Sequence, residues 1–226
     1  MCGRYSISKK AREIGEHFNV TIPSGFQGEL FNAAPAQSLP VIAMNQPLSI
    51  QMFQWGLKAP WKNASGESSL VINARSESLR AKKMFSRLLD GQRCIIPADG
   101  FFEWEKTRKI KQPWRFLLES EELFSFAGLF DLMETPDGCR YYAFSIITTQ
   151  ANSLLEGIHD RMPVILDQEG HAAWLRETSP SVLDDLLQPF PSEKMKHYKV
   201  SQKVNNAANN NPELIKPWQD PNLTLF

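Results

Sequence analysis

RCIIPADGFFEWEK (93–106) decides the architecture. Arg93 to Pro97 and Phe101 to Lys106 are short runs rich in β-branched and aromatic residues, and both read as strands. Outward from them, Trp114 to Glu119, Leu123 to Phe130 and Tyr141 to Thr148 repeat the pattern, with Asp137-Gly138 as a hairpin turn between the last two. Upstream, Leu39 to Met44, Leu48 to Trp55 and Leu70 to Ala74 are strand-like; downstream, a strand runs to Leu166 and another covers His197 to Val200. Helices are expected over 8–18 with Ser8 as N-cap, over 76–90, just before His159, and over 168–176 and 179–187. Residues 21–40, the polar stretch through Ser69 and the Asn205 to Asn211 run read as loops. Strands do not alternate regularly with helices, which argues against a doubly wound parallel sheet. The expectation is α+β: a single domain with a curved, mostly antiparallel sheet or partial barrel flanked by short helices.

The 226 residues suit one large domain, expected over 1–226 with a core at about 2–211 and a tail at 212–226. No apolar run approaches the ~20 residues of a membrane span, and the start lacks the order of a signal peptide. Three cysteines, an odd number, argue against a disulfide framework and for a reducing cytoplasm. No Cys/His spacing suggests a metal site, and no cofactor is expected. Cys94 and Cys139 read as core or near-surface thiols. Net charge is zero, which weighs against non-specific coating of nucleic acid but leaves room for a local basic groove. Arg4, Arg75, Arg80, Lys82, Lys83, Arg87 and Arg161 are its candidates, although the run from Arg80 to Arg87 also reads as the wet face of a helix.

Cys2 carries the sharpest chemistry. It follows the initiator Met1 and is small enough for that methionine to be trimmed. A terminal cysteine holds an amine and a thiol on adjacent carbons, and such a 1,2-aminothiol captures an aldehyde as a thiazolidine ring. Reference pKa values near ~7.8 and ~8.5 leave usable neutral amine and thiolate at neutral pH. Glu103, in Phe101-Phe102-Glu103-Trp104, is an acid/base candidate if it points inward and a plain solvent-face residue if strand alternation decides. His159, opening His159-Asp160-Arg161-Met162-Pro163, is either an acid/base near pH 7 or structural. Asn73 either holds a carbonyl or an amine, or simply ends a strand. Arg75 either grips a phosphate or is solvated. Trp55 and Trp61 flank a Gly/Pro loop, and each reads as either core, the more frequent role of tryptophan, or a stacking surface for a nucleobase.

MCGRY, FNAAP, WGLKAPW, INARSE, CIIPADGFFEW and IHDRMPVIL occur in an order and spacing that resembles the SOS-response-associated peptidase (SRAP) family of abasic-site processing proteins. The resemblance runs from Cys2 to about Asn211. It implies capture of abasic sites in single-stranded DNA through a covalent crosslink to Cys2, with crosslink reversal and lyase activity alongside, in a monomer of the cytoplasm that associates with the nucleoid on DNA. By the same resemblance Asn73, Glu103 and His159 join Cys2 as catalytic residues. Arg4, Asn32, Pro35, Trp61, Arg75 and Arg161 become DNA contacts. Two other classes stand beside this one: a cysteine peptidase, acting on Met1 or on other proteins, and a non-covalent binder of single strands or modified bases.

Overall fold

The computed structural model describes residues 2–62, 68–105 and 112–218. The end of the expected strand at Lys106, the middle of the polar stretch before Ser69, Met1 and the last eight residues of the tail lie outside them. In chain order the elements are β1 (Tyr5–Lys10), α1 (Ala11–Phe18), β2 (Gly28–Ala33), β3 (Ser38–Ala43), β4 (Gln51–Trp55), β5 (Leu57–Lys62), β6 (Ser68–Val71), β7 (Asn73–Arg75), α2 (Lys83–Leu89), β8 (Arg93–Ala98), β9 (Gly100–Trp104), β10 (Pro113–Leu118), β11 (Phe124–Glu134), β12 (Arg140–Gln150), β13 (Arg161–Pro163), β14 (Ile165–Leu166), α3 (Gln168–Arg176), α4 (Pro180–Leu186) and β15 (Met195–Lys199). Short 3-10 turns cover Ser76–Ser78, Ser192–Lys194, Gln202–Asn205 and Pro212–Ile215.

One sheet runs β15-β10-β9-β1-β2 and is antiparallel throughout. A second runs β12-β4-β3-β8-β11, and β11 pairs back onto β12, so these five strands close into a ring. Closure removes the exposed edges of the sheet. The β12–β4 pairing that completes it is parallel, Ala143 opposite Gln54. The mostly antiparallel, partly barrelled α+β domain expected from the sequence is therefore what forms.

Strand alternation sorts the core into two sides. Phe124, Phe126, Phe130, Phe144 and Ile146 join Tyr5, Phe101 and Phe116 of the first sheet in one cluster, which includes Cys2. Ala127, Leu129, Ala143 and Ile147 join Ile14, Phe85, Leu88, Trp174 and Leu183 from the four helices in another. Phe102, Val200, Val204 and Leu214 form a third, so the chain just past 211 still packs on the fold.

Five expectations shift. The first is the short helix expected just before His159, where the chain makes a run of turns over 153–158. The helix expected over 8–18 begins at Ala11, because Ser8 lies in β1 and its backbone N–H (2.6 Å) and hydroxyl both donate to Asp99 instead of capping. The helix expected over 76–90 splits into the Ser76–Ser78 turn and α2, with Leu79 buried and Arg80 reaching Asp184 of α4 at 2.8 Å. The loop expected over 21–40 contains β2, hidden by its Gly and Asn content. Gly28 there has φ +83, and a Cβ would come within 2.3 Å of the Lys9 carbonyl. The polar stretch near Trp61 holds β5 and β6, paired as a ribbon.

His171 on α3 is a half-buried liability at low pH. Its Nε2 lies 3.0 Å from the Leu166 carbonyl and its ring packs on Phe18. Burial chiefly lowers its pKa to about 4; His17 on α1 adds to that, while the Leu166 carbonyl and Asp167 oppose it. The unfolded chain takes up the proton near ~6.5 and the folded one only near 4, so stability is intact above that window and falls as pH drops through it. The expected loss is up to about 3 kcal/mol. Urea midpoints at pH 7 and pH 4.5 will show it, and His171→Phe should narrow the gap between them.

Candidate functional site

The site starts where the chain enters β1. Tyr5 pairs with Phe101 and Ser6 with Gly100, and the Phe102 N–H donates to the Arg4 carbonyl at 2.9 Å. This antiparallel register runs β9 back along the Cys2–Arg4 segment, toward Glu103. A buried network the sequence reading missed holds the two strands together. Asp99 accepts from Ser6 Oγ at 2.7 Å, from the Ser8 N–H, and from Arg115 of β10 at 2.9 Å. Gly100 is required beneath it, since a Cβ would meet the Arg115 guanidinium at 2.7 Å. In the sequence Asp99-Gly100 looks like turn punctuation, which concealed it.

Cys2 is fully buried, and Glu103 is only 2% exposed, so Glu103 faces inward. Asn73, the first residue of β7, donates its Nδ2–H to the Cys2 carbonyl at 2.9 Å. Its Oδ1 is buried with no hydrogen-bond partner. The strand carrying Asn73 is held by β12, Asn73 opposite Ile146, and by the Trp55 indole, which donates to the Ile72 carbonyl at 2.9 Å. Burial, and then the Glu103 carboxylate, push the Cys2 thiol well above its ordinary pKa. At neutral pH Cys2 is a protonated thiol. Brief iodoacetamide treatment of the native protein should therefore label exposed Cys139 at least about tenfold faster than Cys2 or buried Cys94. Peptide mapping reads this out, and labelling of Cys2 as fast as Cys139 would contradict the arrangement.

His159 follows a turn segment whose Leu155 and Ile158 pack on the cluster containing Cys2. Its side chain is 13% exposed. Nδ1 lies 3.0 Å from the Arg161 backbone nitrogen, whose N–H it accepts when unprotonated. Asp160 Oδ1, 2.9 Å from the same Nδ1, stands ready for the imidazolium.

The six expected DNA contacts divide. Arg75 and Trp61 are exposed, Trp61 at 56%. Pro35 is half-buried in the turn that follows β2, where Ala36 has φ +68. Arg4 and Asn32 bond inward. Arg4 donates to Asn32 Oδ1 at 2.8 Å and to the Val204 carbonyl at 2.7 Å, and burial lowers its pKa. Asn32 donates to the carbonyls of Val204, Asn206 and Asn209. Together they clamp the Asn-rich segment beside the N-terminus, which gives that segment a physical role. Arg161 is committed to Glu77, at 3.0 Å to Oε2, and to the Thr148 carbonyl at 2.6 Å. Glu77 was missed as its partner, although it sits two residues past Arg75 in the INARSE motif. Among the described residues no group of three His, Cys, Asp or Glu could hold a metal ion, and no helix is long and apolar enough to cross a membrane.

Comparison with other proteins gives a consistent answer. A family model described as SOS response associated peptidase (SRAP) matches residues 1–207. The abasic site processing protein YoqW of Bacillus subtilis (strain 168) is 42% identical over 222 residues, covering 96% of this chain and 99% of that protein. The abasic site processing protein HMCES of Xenopus tropicalis is 31% identical, covering 82% of this chain and 65% of that protein. A crystal structure of a protein from Bacteroides thetaiotaomicron matches with a TM-score of 0.86 at 28% identity, covering 96% of this chain and all of that one. With nearly the whole described fold matched in sequence and in shape, the chain belongs to the SRAP family.

Proposed function

We infer that this protein processes abasic sites in single-stranded DNA by capturing their aldehyde as a thiazolidine on Cys2, once Met1 has been removed. The observation that carries the reading is the treatment of Cys2. Residues at a chain terminus are ordinarily loose, yet this one is buried, gripped through its carbonyl by Asn73 and set beside Glu103. The names of the relatives supply the substrate.

The steps balance as follows. His159 relays the proton that opens the deoxyribose hemiacetal to the aldehyde. The neutral Cys2 amine adds to the carbonyl carbon, forming a C–N bond, and the carbinolamine takes a proton and loses water to give an iminium. The Cys2 sulfur then adds to that carbon, forming the C–S bond. The thiol proton passes to Glu103, and the C=N electron pair returns to nitrogen. The sum is aldehyde plus aminothiol giving thiazolidine and one water. Reversal runs the same path backward with Glu103 as proton donor. An iminium that is not trapped by sulfur is open to β-elimination, which gives strand scission as a side activity. Exposed Trp61 supplies a stacking face and exposed Arg75 a phosphate contact, both suited to an unpaired strand.

The raised thiol pKa favours this reading over a cysteine peptidase. A peptidase nucleophile needs a thiolate stabilised by a neighbouring imidazolium; burial and a carboxylate favour the opposite. Amine-first chemistry needs the thiol only after the iminium has formed. The test is incubation of Met1-free protein with a single-stranded oligonucleotide bearing one abasic site, followed by heat and detergent. A shifted band, absent with intact DNA, is the expected result. No band from protein with a free Cys2 would sink the reading.

A further inference from the structure

Lys199 ends a row of side chains that starts at the site. Glu103 of β9 stands directly opposite Trp114 of β10, and Trp114 directly opposite Lys199 of β15, the edge strand of the first sheet. Residues opposite one another on antiparallel strands share a face and meet. This face carries Phe101 and Phe116 into the cluster with Cys2, and Trp114 packs on that cluster. Lys199 Nζ lies 5.3 Å from the centre of the Trp114 ring, and the His197 ring leans on the same indole at 4.9 Å. With strands about 4.8 Å apart, the Lys199 backbone is about 10 Å from that of Glu103, a span that a lysine stem and a phosphate group bridge. Lys199 is half-exposed, and among the described residues its ammonium meets the indole and no carboxylate. The Trp114 Nε1–H is buried without a hydrogen-bond partner, and an unmet buried donor calls for a reason.

Resting on the reading above, we propose that Lys199, braced on Trp114, pairs with one of the two phosphates that flank the abasic sugar, and that the Trp114 N–H donates to an oxygen of that sugar. Arg75 takes the other phosphate. Arg4 and Arg161 are committed to Asn32 and Glu77, whereas Arg75 is exposed on the second sheet, two residues past the Asn73 that holds Cys2. Glu103, Trp114 and Lys199 extend from Cys2 across the first sheet. The sugar at Cys2 thus has a cation on each sheet for the backbone that enters and leaves. The chain has no net charge, so affinity for the strand rests on a few such placed cations rather than on a general field. The indole holds the ammonium in place by a cation–π contact and leaves its charge available.

The probe is a single-stranded oligonucleotide carrying a tetrahydrofuran abasic analogue, which has no aldehyde and binds without crosslinking. Fluorescence anisotropy over a salt series reads its affinity. Lys199→Gln should weaken binding at least about threefold at low salt and reduce the slope of log K against log salt by about 0.7, the single-strand value for one phosphate contact. Lys199→Arg should keep both. Lys196→Gln, on the opposite face of β15 and paired with Glu121 at 2.7 Å, removes the same charge and should leave the slope unchanged. Replacing one flanking phosphate by a neutral methylphosphonate locates the contact: on one side of the analogue it should weaken wild type and leave Lys199→Gln unaffected, and on the other it should weaken both alike. Trp114→Phe keeps a ring under Lys199 and should weaken binding about two- to tenfold with the slope unchanged. An unchanged slope in Lys199→Gln, methylphosphonate losses that add to it on both sides, or Trp114→Phe binding like wild type would overturn the proposal. Should Lys199→Gln fail to fold, Lys199→Met keeps the stem on the indole and is held to the same figures. A wild type that binds the analogue but forms no heat-stable adduct with abasic DNA sinks the thiazolidine reading, and the salt slope still decides Lys199; a wild type that binds no single strand overturns both.

Discussion

Cys2→Ala is expected to abolish the heat- and detergent-stable adduct while leaving a borohydride-trappable one. Alanine at the same place is also exposed by methionine removal and presents the same α-amine, so the iminium still forms. Only the sulfur that would trap it is gone. The iminium then hydrolyses or undergoes β-elimination, and strand scission should rise above the wild-type level. Geometry at residue 2 survives, because Asn73 holds its backbone carbonyl rather than its side chain. The cost to folding is that of one buried sulfur, about 1 kcal/mol. A non-covalent binder would behave differently, giving no trappable species with either protein. An N-terminal extension ahead of Cys2 should abolish both adducts, since it turns the amine into an amide.

Glu103→Gln carries the second large effect. The amide keeps the volume of the buried side chain but takes up no proton from the thiol, and a drop in crosslinking rate of about 10²–10⁴-fold is expected. A second readout excludes mere damage. Glu103 is one of the causes that raise the Cys2 pKa, so its removal should shift Cys2 alkylation to lower pH. A thiol that ionises more readily while the protein crosslinks more slowly fits loss of an acid/base group. A thiol that becomes reactive merely because the site has opened would also react far faster at every pH, with a fall in the unfolding midpoint.

Much of this was legible in the chain, and for identifiable reasons. Helix α3 falls on residues 168–176 as read, because Asp167 caps it through the Gly170 N–H at 2.9 Å. Strands β8, β10 and β12 are apolar runs that could scarcely be anything else. Ring closure was illegible in detail, since the parallel pairing of β12 with β4 joins residues almost ninety positions apart, and no local pattern records it. Strand β2 was hidden because its Gly and Asn residues serve long-range contacts: Gly28 gives way to the Lys9 carbonyl, and Asn32 holds the C-terminal segment. The same limit applies to the site. Short motifs named Cys2, Asn73 and Glu103, but only the fold shows that Asn73 grips the residue it was matched with. Arg4 and Arg161 read as free cations, and the structure binds them to Asn32 and Glu77. A residue type announces a charge; what neutralises that charge is decided by tertiary neighbours.

The most direct test of the central claim is a mass map of the adduct. Protein is reacted with the abasic-site oligonucleotide, the DNA is digested, and the N-terminal peptide is fragmented. The account predicts that Met1 is absent, that the sugar remnant sits on Cys2 with the loss of one water, and that the Cys2 thiol no longer reacts with iodoacetamide. A remnant on a lysine, or on Cys2 with the thiol still free to alkylate, would contradict it.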